Sequence, residues 1–147
     1  MEFEKCELEQ KTVYGVAGNS GDKTIARDIP RLSGVFYSAL GEKRVLPFYV
    51  VCSGYDEKTG GFELFVGGDK NADKLQSLTL EKGTYVRTTV RPKLGFLWGP
   101  AIGEAKREFY TKWLPQSGLT AKNLEYEYHT QKSLGLRASI DILFAVK

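Results

Sequence analysis

The chain has 147 residues, 41% hydrophobic and 27% charged, a balance that makes a folded globular chain and excludes a disordered one. Its 21 Lys and Arg against 18 Asp and Glu leave a formal charge of +3, and so small an excess, scattered along the chain, gives no basis for direct nucleic-acid binding. No apolar run approaches the roughly 20 residues that span a bilayer, and Met1-Glu2-Phe3-Glu4-Lys5 lacks the basic start and apolar segment of a leader, so a cytoplasmic protein with no membrane partner is expected.

The acidic stretch Glu2 to Glu9 reads as an edge strand leading into Thr12–Ala17, a β-branched and aromatic strand that stops at Gly18. Residues 19–23 are small and polar, a loop. Ile29, Leu32, Phe36 and Leu40 then fall at spacings of 3, 4 and 4, one face of a helix, with Pro30 in its first turn and Gly41 as its stop. Phe48–Cys52 is a strand between Pro47 and Gly54; Asp56–Gly61 turns the chain, and Phe62–Val66 pairs back as a hairpin. Gly67 to Leu78 reads as a polar connector. The order then recurs: a strand over Thr84–Val90, a loop over Pro92–Pro100, and a helix carrying Ile102, Ala105, Phe109 and Trp113, which Pro115 and Gly118 end. Leu124–Thr130 is a strand, Lys132–Leu136 a turn, and Ile140–Val146 the last strand.

The pattern is therefore strand–helix–strand–strand, twice, in a single α+β domain over 1–147 with pseudo-repeats at about 1–68 and 79–147. Phe36-Tyr37 and Phe109-Tyr110 lie 73 positions apart, and at that offset Leu40 meets Trp113 and Thr12 meets Tyr85. Half the chain buries too little to be stable alone. Two halves can join their strands in one antiparallel sheet with both helices on one face. The other face is then left to solvent or to a bound molecule, and the groove between the helices is the natural ligand cleft.

Few familiar chemistries fit. One histidine, His129, and two distant cysteines, Cys6 and Cys52, make no zinc cluster. There is no phosphate-binding Walker loop and no GxSxG elbow, and the two helices lie too far apart in sequence for a helix-turn-helix. No metal or cofactor is expected. Both cysteines read as reduced thiols, Cys52 as a small buried hydrophobe and Cys6 as unreactive for want of basic neighbours beyond Lys5. His129 reads as a surface histidine without a partner.

The stretch Leu124-Glu125-Tyr126-Glu127-Tyr128-His129 carries the chemistry that remains. Alternation sends Glu125, Glu127 and His129 to one face of the strand and Leu124, Tyr126 and Tyr128 to the other. Either the glutamates sit on a solvated outer face, or one stands in an aromatic cleft, where lost hydration would raise its pKa and make it a cation partner or a general base. Tyr37, Tyr55, Phe96, Trp98, Tyr110 and Trp113 are candidates to line that cleft. Trp113 equally suits core packing, and Trp98, in the glycine- and proline-flanked GFLWGP, needs a protein partner or a ligand.

Over nearly its whole length the chain resembles the GyrI-like, or AraC-type effector-binding, domain family. The resemblance rests on Ile29-Pro30-Arg31-Leu32 with Phe36-Tyr37, Val50-Val51-Cys52-Ser53-Gly54-Tyr55, Phe62-Glu63-Leu64-Phe65-Val66-Gly67, Gly83-Thr84-Tyr85-Val86, Trp113-Leu114-Pro115-Gln116-Ser117-Gly118 and the closing Ile140–Lys147, in that order. It implies a duplicated fold with a central cleft for small, often cationic, aromatic molecules and a glutamate at its bottom. That glutamate maps to Glu127 or Glu125, with Glu127 preferred as nearer the middle of its strand. Many members carry a DNA-binding domain ahead of this one, and none is expected here. The resemblance implies three functions: drug binding for sequestration or detoxification; hydrolysis of cyclopropane-bearing DNA-alkylating natural products, with Glu127 or Glu125 as base and Tyr110 as proton donor; and modulation of a protein partner such as DNA gyrase.

Overall fold

The computed structural model describes residues 1–147, and its β-branched and aromatic stretches form eight strands while the two 3-4-4 stripes form helices. In chain order these are β1 (Glu4–Leu8), β2 (Lys11–Gly21), α1 (Ile25–Leu40), β3 (Phe48–Ser53), β4 (Gly61–Gly68), β5 (Gln76–Leu80), β6 (Gly83–Val90), α2 (Trp98–Glu108), β7 (Ala121–His129) and β8 (Ile140–Val146). Between α2 and β7 the helix passes through a π-helical turn (Phe109–Trp113) into the short α3 (Leu114–Ser117).

All eight strands join one antiparallel sheet in the order β1-β6-β8-β7-β3-β4-β2-β5. That order is symmetric about the central β7–β3 pair. Each half gains a strand over the repeated three-strand pattern, β1 as read over Glu2–Glu9 and β5 in addition, and these strands are exchanged: β1 pairs with β6 of the second half, and β5 pairs with β2 of the first. The stretch read as a connector therefore runs into β5. Its signal is weak because it is an edge strand turning only Leu78 and Leu80 inward. The pairings Leu8–Gly83 and Leu80–Lys11 make Lys11 and Gly83 equivalent. Val13, not Thr12, is thus the counterpart of Tyr85, and both are buried in one cluster.

The helices also depart from the sequence reading. α1 begins one turn early, at Ile25, which puts Pro30 inside it rather than in its first turn. The apolar stripe missed this turn because a polar contact fixes it. Buried Asp28 accepts a hydrogen bond from the Ser20 hydroxyl of β2 at 2.8 Å and faces Arg31 at 3.2 Å. α2 begins at Trp98, so Trp98 and Pro100 belong to a helix rather than a loop. Pro115 does not stop the helical run but sits at the start of α3, where its missing N–H costs nothing. Gly118, at φ 76°, ends it.

The Ser20 hydroxyl, with Thr24, Arg31 and Arg27, holds the Asp28 carboxyl down to about 2, against its ordinary 3.8. A carboxylate whose pKa falls on folding lends stability above its unfolded pKa and loses it as pH drops through the folded value. Acidification from about pH 4 to 2 should therefore weaken the wild type more steeply than Asp28→Asn. Parallel melting-temperature curves for the two proteins over that range would refute the assignment.

α1 packs on β2 and β4, and α2 on β6. Beneath α1 lie Leu32, Phe36, Leu64 and Val66; beneath α2 lie Ala105, Phe109, Val86, Ile142 and Phe144. The sheet's other face is largely covered by its own side chains, with an open depression of about 270 Å³ left beside Tyr85, Tyr126 and Leu143. The sheet curls so that Val13, Tyr49, Val51, Phe65, Leu80, Tyr85, Tyr126 and Leu143 close on one another as a third core cluster. Gly15 and Gly67, paired between β2 and β4, permit the close strand approach on the first half's side. A methyl on Gly15 would run into the Val66 carbonyl.

Candidate functional site: the cleft between the helices

Because α1 and α2 cover the outer strands, the central pair β3 and β7 forms a floor between them. Alternation brings Phe48, Val50 and Cys52 of β3 and Glu125, Glu127 and His129 of β7 to the helix side of that floor. The register sets Val50 opposite Glu127 and Cys52 opposite Glu125. Glu127 is 5% exposed, so the solvated-face alternative does not hold for it.

Both glutamates are engaged. The Tyr110 hydroxyl donates to Glu125 Oε1 at 2.8 Å, and Lys106 Nζ lies 2.8 Å from Oε2. Lys106 and Tyr110 are one turn apart on the helical run above, so they descend together onto the same carboxylate. Burial alone would push the Lys106 ammonium down, but the Glu125 carboxylate, with Cys52 and Glu127, outweighs it and holds the group above its ordinary value. Burial first, and then Glu125, raise the Tyr110 phenol. Lys106 is thus a cation and Tyr110 a neutral donor throughout the physiological range.

His129 does have a partner, contrary to expectation: its Nε2 lies 2.9 Å from Glu127 Oε1 in a largely buried pair. The ring also sits edge-on to Phe48 at 5.8 Å, and Phe48 meets Tyr37 of α1 at 5.7 Å. The floor is therefore polar and charged under α2 and aromatic under α1. Neither Lys106 nor Phe48 was singled out from sequence. The i,i+4 spacing of Lys106 to Tyr110 is the available signal, and it is masked by the apolar stripe of Ala105 and Phe109 one position away.

Cys52 is more than a small hydrophobe. It faces Lys106, Glu125 and Glu127, and burial pushes its thiol up to about 12, Lys106 opposing and the glutamates adding to the rise. Cys6 and Cys52 are both free. In a Cys6→Ser background, Cys52 should react with a disulfide reagent at pH 8 about a thousandfold more slowly than an ordinary thiol of pKa 9.0. A rate within tenfold of a peptide thiol would contradict this environment.

Of the residues proposed from sequence, Glu125, Glu127, Tyr110 and Tyr37 meet at this floor. Tyr55 lies beyond the end of β3, its hydroxyl donating to Asp22 at 2.7 Å and its backbone N–H to Asn123 at 2.8 Å. Trp113 stacks on Phe109 at 5.7 Å and meets Phe3 tilted at 6.1 Å, and Trp98 packs into the same cluster. Where the sequence suggested ligand walls, these two tryptophans serve the packing beneath α2. Phe96 points out of its loop into solvent. The floor is occupied by protein side chains, and open depressions of about 480, 350 and 270 Å³ lie elsewhere, at the start of α1, between the 92–97 and 131–138 loops, and on the sheet face away from the helices, beside Lys11, Tyr85 and Tyr126.

No family model and no curated protein matches this chain. Solved structures do. The protein SAV2435 bound to tetraphenylphosphonium superposes with a TM-score of 0.75 at 15% identity, over 100% of this chain and 94% of its own. An integron cassette protein from the mobile metagenome of Vibrio cholerae does so with 0.73 at 15%, over 99% and 95%. The chain shares their fold. A hydrolase from Listeria innocua is more distant, with a TM-score of 0.58 at 13% identity over 99% of this chain and 92% of that one. At such identities the likeness speaks for the curled eight-stranded sheet with two helices, a half-barrel shared with a ligand-binding protein. No helix is long and apolar enough to cross a membrane.

Proposed function

We propose that the protein is a GyrI-like effector-binding protein that holds small aromatic molecules, cationic ones among them, in the cleft between α1 and α2, for sequestration or detoxification. The observation that carries this reading is the pair of shielded carboxylates, Glu125 and Glu127, on a floor edged by Tyr37, Phe48 and Tyr110. Aromatic faces and a carboxylate are what a lipophilic cation needs on leaving water, each aromatic contact contributing about 0.5–2 kcal/mol. SAV2435, of the same fold, is bound to such a cation. Entry requires Lys106 and Tyr110 to move aside, the lysine by its flexible stem and the tyrosine by a change of rotamer.

Titration with tetraphenylphosphonium, followed by tryptophan and tyrosine fluorescence, should give a Kd in the micromolar range, about −8 kcal/mol. Glu127→Gln should weaken it about tenfold. No saturable change up to millimolar ligand would discard the reading.

The Glu127–His129 pair favours a second reading, hydrolysis of a cyclopropane-bearing alkylator. Glu127 would take a proton from water as the oxygen attacks a ring carbon. The breaking carbon–carbon bond leaves its electron pair on the conjugated system, which is then protonated by Tyr110 or by water. Mass spectrometry would show a ring-opened product one water heavier, lost in Glu127→Gln while binding persists.

A further inference from the structure

We propose that the end of the sheet formed by the 92–97 and 131–138 loops is a docking surface for an anionic lipid bilayer. Nine large hydrophobic residues are exposed on this protein, and five of them, Leu94, Phe96, Leu97, Leu134 and Leu136, belong to these two loops. Leu136 is fully exposed, Leu94 is 83% and Phe96 69% exposed. Isolated exposed apolar residues are ordinary, whereas a cluster on one end marks an interaction surface.

The loops are built to hold these side chains out. Lys93 and Leu97 exchange backbone hydrogen bonds at 3.0 and 2.9 Å, and Leu94 between them is held at φ 55°, a left-handed conformation that costs a branched residue energy. Arg91 Nη1 donates to the Arg137 carbonyl at 2.9 Å, tying the first loop to the second, and Ser139 N–H closes the second onto the Lys132 carbonyl at 2.8 Å.

The charge around these side chains indicates the partner. The two stretches contain Arg91, Lys93, Lys132 and Arg137, and no acidic residue occurs in 91–103 or 130–140. Only Lys93 is paired, with Glu104. Arg91 and Arg137 line a crevice of about 350 Å³ between the loops, with Leu136 on its rim. Protruding apolar tips ringed by uncompensated cations match a bilayer, where acyl chains take the tips and headgroup phosphates take the arginines. This surface needs no membrane-spanning segment, and it refines the expectation of no membrane partner drawn from the lack of one.

Co-sedimentation of the full chain with vesicles tests it. The protein should pellet with equimolar phosphatidylglycerol and phosphatidylcholine, remain in solution with phosphatidylcholine alone, and be released by 0.5 M salt. Leu94→Ser/Phe96→Ser/Leu136→Ser should weaken vesicle binding at least about tenfold with little change in melting temperature, since all three side chains are mostly exposed. Should that variant aggregate, Lys132→Glu/Arg137→Glu decides, because it removes the anionic preference and leaves the Arg91 tie to a backbone carbonyl. Equal pelleting with both vesicle types, or none with either, overturns the proposal. So does a dimer in light scattering that the triple serine variant dissolves, which would make this end an interface between copies.

Discussion

Phenyltrimethylammonium should bind Lys106→Met at least about tenfold more tightly than the unchanged protein, whereas tert-butylbenzene, its uncharged isostere, should bind the two alike. The expectation rests on the cleft as an aromatic-binding site and on what occupies Glu125. One carboxylate oxygen accepts from Tyr110 and the other lies 2.8 Å from Lys106. Lys106 is thus a tethered cation in the place a cationic ligand would seek, and any such ligand must displace it. Tenfold corresponds to about 1.4 kcal/mol, modest for a largely buried charge pair. The same substitution leaves Glu125 without its counter-ion, a loss of about 3–5 kcal/mol for a fully buried pair and less here, about 1–3, because both side chains keep some contact with water. Thermal shift reads both effects: a lower melting temperature without ligand, and a larger gain on adding the cation. Cation affinity that stays level or falls in Lys106→Met would dismiss Lys106 as a specificity residue. Failure of either compound to bind either protein would count instead against the cleft as a binding site.

Phe109→Ala should cost about 3–5 kcal/mol and lower the melting temperature by roughly 10 °C or more. Phe109 is wholly buried and lies almost flat on Phe144, 3.9 Å between centroids and 11° between planes. It also meets Phe3 at 5.8 Å, Trp113 at 5.7 Å and Tyr110 at 4.9 Å. No neighbour is free to fill the space, since Phe144 is fixed in β8 and Trp113 in the continuing helix. A urea midpoint that falls with its slope preserved would identify the loss as one of native packing. A cost below 1 kcal/mol would mean that this cluster is not the anchor of α2. Tyr110 adjoins Phe109 in the chain, so the variant should also loosen the Tyr110–Glu125 bond and weaken any cleft ligand.

The 3-4-4 stripes at Ile29–Leu40 and Ile102–Trp113 are visible without coordinates because a helix on a sheet must present one apolar face every turn. The same logic gave the strand alternation at 124–129, and with it the shared face of Glu125, Glu127 and His129. Contacts between distant segments are not periodic and were lost. β5 escaped because an edge strand needs only one inward face, and the first turn of α1 because its anchor is the polar pair Ser20–Asp28. Trp98 and Trp113 were open to two readings because a large aromatic side chain suits a ligand wall and a core equally well.

By itself the sequence determined the class of the fold, the two helices and the strand bearing two carboxylates, since these follow from short-range periodicity. Only the tertiary structure decided that the edge strands cross between halves, that the far face of the sheet closes on itself, and that Lys106, Tyr110 and His129 take the glutamates as partners. Those outcomes depend on register and on the descent of one helix over one strand. The strand exchange alone pairs residues as far apart as Glu4 and Arg87, and local propensity does not encode such relations.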